Sequence, residues 1–273
     1  MRLINQRASQ PVQILLAALP FIALIIIYSV ASQIRLEANP ADKLLPSFQS
    51  MGEAFWRLAT EADQRSGNYL LWTDTFASIQ RLAAGMGISA LLALFIGVPI
   101  GIIPKMRSFL ATFIATLSLI PPITILPILF IVFGLGETSK IMLIVIGTAL
   151  VMIRAVAQGV SELPEEMIVK AQTLGASTWQ LIIRVVVPQI LPKLFMAIRL
   201  GLVPAWIFLV SAEAIASTEG LGYRIFLVRR YLAMDVILPY VAWITLIAYI
   251  LDRILMLVSR WLFPWSDNRG GAV

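Results

Sequence analysis

Six stretches of mainly apolar residues recur along the chain, at residues 13–32, 76–103, 109–133, 141–160, 190–217 and 236–263. Each approaches or exceeds the roughly 20 residues a helix needs to cross the hydrocarbon core of a bilayer. A soluble fold cannot bury so many long apolar helices on every side. The pattern therefore predicts an all-α integral membrane protein with six transmembrane helices. Composition agrees: 59% of the 273 residues are hydrophobic and 13% are charged, where a soluble domain carries about 25% charged residues. The first run follows Arg2 and Arg7 and resembles a signal peptide in that respect. It is longer than the roughly 7–15-residue apolar core of such a peptide, and we read it as a spanning helix with Pro20 inside it.

The sequence also narrows the chemistry. It holds no cysteine and no histidine. Disulfides and thiolate metal sites are excluded, and the commonest general base and metal ligand are missing. No cofactor is expected. The net charge of +6 is not arranged as a basic cluster with interleaved aromatics, so nucleic acid is set aside. Basic residues gather instead at span ends: Lys105 and Arg107 after the second span, Arg154, Lys170, Arg184 and Lys193 around the fourth loop, and Arg253 and Arg260 near the end. Positive residues favour the cytoplasm, so both termini are expected there. Arg224, Arg229 and Arg230 fall on the other side and run against the rule.

The spans divide the chain into an N-terminal helix and polar loop (1–75), a five-helix core (76–263) and a tail (264–273). The loop at 33–73 is predicted to carry a short amphipathic helix at about 51–62. Pro121, Pro122 and Pro127 interrupt the third span in SLIPPITILPILF. Proline removes a backbone donor and clashes with the preceding turn. Such a helix is either a packed kink or a pore-lining gate. Gly97, Gly101 and Gly201 permit close helix approach. Glu213, Arg81 and Arg199 are charges inside spans. Glu213 either reaches water at the outer interface or helps hold an outer gate or a surface for a partner protein there.

One segment is too polar for a span and too patterned for a linker: residues 161–192, SELPEEMIVKAQTLGASTWQLIIRVVVPQILP. Glu162, Glu165 and Glu166 surround Pro164, the acid-and-proline signature of a helix start. Apolar Met167, Ile168, Ala171 and Leu174 follow at helical spacing. Gly175 is placed to stop that helix, and Ser177 to cap a second one. The expectation is a helix-turn-helix lying across the membrane surface.

This segment resembles the EAA loop of permease subunits in binding-protein-dependent ABC importers. Ala171 matches the second alanine of that motif, Gly175 its glycine and Val185 to Pro188 its I-x-L-P ending, while Val169 and Lys170 replace its Glu and first Ala. FGLGETSKIMLIVIG at 133–147 and VSAEAIASTEGLGYRI at 210–225 resemble the nitrate, sulfonate and taurine importer permeases. The resemblance implies a type I ABC importer permease fold with a cytoplasmic coupling helix. It further implies a bacterial inner-membrane location, two ATPase subunits, a second permease copy as a homodimer and a periplasmic solute-binding protein. Glu162, Pro164, Glu165, Glu166, Ala171, Leu174, Gly175, Ala176 and Pro188 then form the ATPase-coupling loop, and Pro121, Pro122, Pro127 and Glu213 become candidate pore or gate residues. No G-x-x-x-x-G-K-[S/T] run occurs, so the chain is not expected to be an enzyme and ATP hydrolysis falls to the partner. An ion-coupled secondary transporter is the competing reading; a membrane-embedded enzyme is disfavoured by the missing histidine.

Overall fold

The computed structural model describes residues 9–40, 42–64 and 66–266. Arg2, Arg7 and the tail beyond residue 266 lie outside the described residues. Helix α1 (Gln10–Ala38) opens after Ser9 with a proline in its first turn. Helix α2 (Phe48–Thr60) is capped by Ser47, whose hydroxyl accepts the Ser50 N–H at 3.1 Å. It replaces the amphipathic helix expected at 51–62 and starts a turn earlier because that cap lies at 47. Its Phe55, Leu58 and Ala59 pack on the core.

Helices α3 (Leu70–Leu92) and α4 (Val98–Ile102) form one rod through a π-turn at Ala93–Gly97. A second π-turn, Ile182–Val186, joins α9 (Thr178–Leu181) to α10 (Val187–Ala216). Each π-turn is followed two residues later by a proline, Pro99 or Pro188. A proline ring collides with the carbonyl four residues back, and one extra residue in the turn relieves the collision without ending the helix. The two rods, Leu70–Ile102 and Thr178–Ala216, cross the molecule together with α1, α7 (Glu137–Ser161) and α12 (Met234–Leu262).

The predicted third span is broken rather than continuous. Helix α5 (Pro104–Leu117) and the segment Pro122–Phe133, which contains a 3-10 turn and α6 (Leu126–Phe133), meet at 82°. Pro122 excludes the residue before it from the helical region, and Pro121 has ψ 119°. Counting this pair as one span gives six; otherwise five helices are long and apolar enough to cross a membrane among the described residues.

The core is built where α3–α4, α7 and α10 touch. Small residues set the spacing. A Cβ on Gly101 would stand 2.4 Å from Val160, one on Gly97 2.8 Å from the Ile153 carbonyl, and one on Gly147 2.2 Å from the Phe208 ring. Backbones this close gain dispersion contacts that lipid cannot supply. Helix α1 stands apart: Tyr28 donates to the Pro46 carbonyl at 2.7 Å and Ser32 to that of Leu45 at 2.9 Å, while most of its apolar side chains are exposed. In a bilayer, lipid or a neighbouring helix covers them.

Candidate functional site

Two regions at opposite ends of the core carry the polar chemistry. The first is the patterned loop. Helix α7 ends at Ser161, and α8 (Glu165–Thr173) follows with Glu165 and Glu166 in its first turn. Acids there favour the helix N-terminus. The Gly175 N–H donates to the Gln172 carbonyl at 2.9 Å and the Ala176 N–H to that of Ala171 at 3.0 Å. This is the paired bonding of a Schellman stop, which needs a left-handed residue; Gly175 supplies φ +81°. Two residues on, Ser177 and Gln180 form a reciprocal capping box that starts α9. The turn is therefore fixed from both sides.

The second helix of this loop is not a separate surface helix, as the sequence suggested. It is the base of the fifth span, since α9 runs through its π-turn into α10. The π-turn lets Pro188 sit in the first turn of α10 rather than terminate the helix. Movement of the α8–α9 turn thus passes directly into a 39-residue rod. The turn exposes apolar side chains: Leu174 is 87% exposed, and Val169 and Trp179 are exposed beside it. Ile168 and Ala171 face the core instead. At the loop's root, Lys193 donates to Glu162 at 2.8 Å and Gln158 donates to the same carboxylate at 3.1 Å. The Lys193 bond, with that of Gln158 behind it, holds the Glu162 carboxyl below its usual range.

The second region is a buried network of charges where α3, α7, α10 and α11 (Leu221–Arg229) converge. Glu213 is 0% exposed. Its carboxylate accepts from Ser78 at 2.8 Å, Arg81 at 2.7 Å and the Gly222 N–H at 2.8 Å. Glu213 therefore does not reach water, which corrects one of the two readings drawn from sequence. Arg81, 3% exposed, also donates to Glu137 and to the Glu219 carbonyl at 2.9 Å. Lys140 donates to Glu137 Oε1 at 2.7 Å, the oxygen that also accepts Arg81 Nη2. One step further out, Asp74 accepts from Arg224 at 2.7 Å, Tyr240 at 3.1 Å and the Gly220 N–H at 2.9 Å. Gly220 has φ +125°, and a Cβ there would lie 2.6 Å from the Glu213 carboxyl carbon. Only glycine admits the loop this close to the acid.

This network explains Arg224, which ran against the positive-residue rule: it is half of a buried pair with Asp74. Arg199 is paired likewise, with Asp252 at 2.7 Å. Sequence reasoning missed Asp74, Glu137, Lys140 and Tyr240 because the first three fall at span borders, where a charge reads as solvated. The alternating signs of Asp74 and Arg81, one face of α3 two turns apart, were the available signal. Pro121 and Pro122 lie at the break in the third span and Pro127 in the first turn of α6, and none of the three takes part in the hydrogen bonds of this network. No group of three or more Asp or Glu residues suited to a metal occurs among the described residues.

The architecture defines a multi-pass helical membrane subunit with a rigid helical turn at one end and a charge-locked bundle at the other. Residues 85–269 match the family model described as "Binding-protein-dependent transport system inner membrane component", and the chain belongs to that family. The taurine transport system permease protein TauC of Escherichia coli is 36% identical over 198 residues, 72% of each chain. A putative aliphatic sulfonates transport permease protein, SsuC of Bacillus subtilis, is 28% identical over 71% of this chain and 70% of its own. The bicarbonate transport system permease protein CmpB of Synechococcus elongatus is 27% identical over 71% of this chain and 69% of its own. Among solved structures, an inward-facing MetNI methionine ABC transporter aligns with TM-score 0.56 at 20% identity, over 67% of this chain and 94% of that one. The fold is that of ABC importer permeases.

Proposed function

We propose that this chain forms the solute path of an ATP-driven importer for a small oxyanion or zwitterion of the taurine, sulfonate, nitrate or bicarbonate class. It works as a homodimer with two ATPase subunits and a solute-binding protein, with both termini and residues 161–192 in the cytoplasm. The observation that carries the reading is the α8–Gly175–α9 turn: rigid, apolar at its tip and continuous with a spanning rod. A partner ATPase that grips Leu174 and Trp179 moves α10 without loss in a flexible joint. The break at Pro121, Pro122 and Pro127 and the Glu213 network are assigned to the path and its outer gate. Family membership and the full pairing of Glu213 disfavour the ion-coupled alternative, since a coupling carboxylate must exchange its proton or ion with water.

The test is reconstitution with the ATPase and binding protein in proteoliposomes. Loaded binding protein should stimulate ATP hydrolysis and uptake. Gly175→Pro, which cannot adopt φ +81°, should abolish that stimulation while the complex still assembles. Stimulation that survives Gly175→Pro removes the coupling role, and uptake without any ATPase removes the importer reading.

A further inference from the structure

Asp74, Glu137, Glu213 and Asp252 each have a basic partner, but Arg107 and Arg154 at the loop end, like Arg184, Arg253 and Arg260, make no salt bridge among the described residues. Arg107 on α5 and Arg154 on α7 line a cavity of about 350 Å³ between these helices, with Gln158 and Ser161 beside them and Ile114, Ile153 and their neighbours as an apolar floor. Neither makes a salt bridge among the described residues. Each guanidinium is nonetheless held in place. Arg107 donates through Nε to the Ile100 carbonyl at 3.4 Å and through Nη2 to the Gly101 carbonyl at 3.0 Å and to Ser161 Oγ. Arg154 donates through Nη1 to Ser118 Oγ at 2.9 Å. Nη1 of Arg107 and both Nε and Nη2 of Arg154 keep their hydrogens for something else.

Arg154 lies seven residues before the end of α7, about 10 Å along the helix axis at 1.5 Å per residue, and its side chain, like that of Arg107, is exposed on the bundle's surface. A guanidinium there is costly unless it meets water or an anion. The closest acid along α7, Glu162, does not line the cavity, because Lys193 and Gln158 hold it. The cavity therefore carries two arginines and no acid on an otherwise mainly apolar lining. Its size lies within the range of small-ligand sites, about 300–1,000 Å³. Planar guanidinium forks match oxyanions in geometry as well as charge.

We infer that Arg107 and Arg154 form a binding site for a small oxyanion group of the sulfonate, sulfate or phosphate type at the loop end of the bundle. The source is either a free anion or the phosphodiester of an anionic lipid headgroup. The inference concerns binding by the chain alone and stands apart from the importer reading.

The test uses the purified full chain in detergent, with no ATPase or binding protein. Equilibrium dialysis against radiolabelled inorganic sulfate should show saturable binding, weakened at least tenfold by Arg154→Gln and less by Arg154→Lys. Alternatively, native mass spectrometry should show phosphatidylglycerol retained by the wild type and lost from Arg154→Gln, which assigns the site to a headgroup. Ala115→Glu, which places a carboxylate in the cavity wall without removing a guanidinium, should block the same ligand. Arg107 is left intact because it also ties α4 to α7. Absence of both ligands from the wild type, or equal binding by the wild type and by monodisperse Arg154→Gln and Ala115→Glu, overturns the inference. Neither result bears on ATP-driven uptake, which is measured separately.

Discussion

At the scale of single residues, the strongest constraint is Glu213. A carboxylate with no solvent exposure persists only because Ser78, Arg81 and the Gly222 N–H take up its lone pairs. Removing one member of such a buried pair leaves the other charge uncompensated, which costs about 3–5 kcal/mol. Glu137 makes a useful contrast: it bonds the same Arg81, yet its side chain is 57% exposed. Water can replace that carboxylate in part, so its loss should matter less. Thermal unfolding of the purified chain should therefore show a large drop in Tm for Glu213→Ala and a clearly smaller one for Glu137→Ala. Equal drops would mean that Arg81 depends on both acids alike and that burial does not decide the ranking. The same network marks the limit of what the sequence discloses. A glutamate inside a span was visible as an anomaly. Its main partners were not, because Ser78 and Arg81 lie 135 and 132 residues away along the chain and only the packing of α3 against α10 makes them neighbours.

Elements were legible in proportion to how local their causes are. The apolar runs announced the spans because bilayer thickness fixes helix length. Gly175 and Ser177 announced the stop and restart of the loop because capping chemistry acts within a few residues. The fate of the second loop helix was not legible: Pro188 reads as a terminator, and only a π-turn lets the helix absorb it. The third span shows the same limit. Its prolines predicted an interruption but not its 82° angle. If Pro121 and Pro122 cause the break, replacing both with alanine should let α5 and α6 approach a single straighter helix. Spin labels at positions 109 and 132, measured by double electron–electron resonance, should then move apart relative to the wild type. An unchanged separation would assign the bend to tertiary packing alone. Transport should fall in the straightened variant if the break lines the solute path.

At the scale of the whole molecule, the two polar regions occupy opposite ends of one bundle, and that arrangement requires a definite placement in the membrane. Glu137 begins α7 beside the Arg81 network, and Ser161 ends it beside Arg107, so a single helix of 25 residues separates them. That is about 38 Å of rise, enough to carry one end past each face of a hydrocarbon core about 30 Å thick. With Arg224 neutralised by Asp74, the basic residues free to interact with the cytoplasm are weighted toward the loop end, through Lys105, Arg107, Lys170 and Arg184. The loop should therefore face the cytoplasm and the Glu213 network the outside. Because the chain has no cysteine, single cysteines can be introduced without background. Leu174→Cys should react with a membrane-impermeant maleimide in inside-out vesicles and not in intact spheroplasts, and Leu135→Cys should show the reverse. Adding the ATPase subunits should then shield Leu174→Cys and leave Leu135→Cys reactive, because Leu174 is the most outward apolar side chain of the turn that the partner would grip. Labelling of Leu174→Cys from outside the cell would invert the molecule and leave no ATPase within reach of its coupling turn.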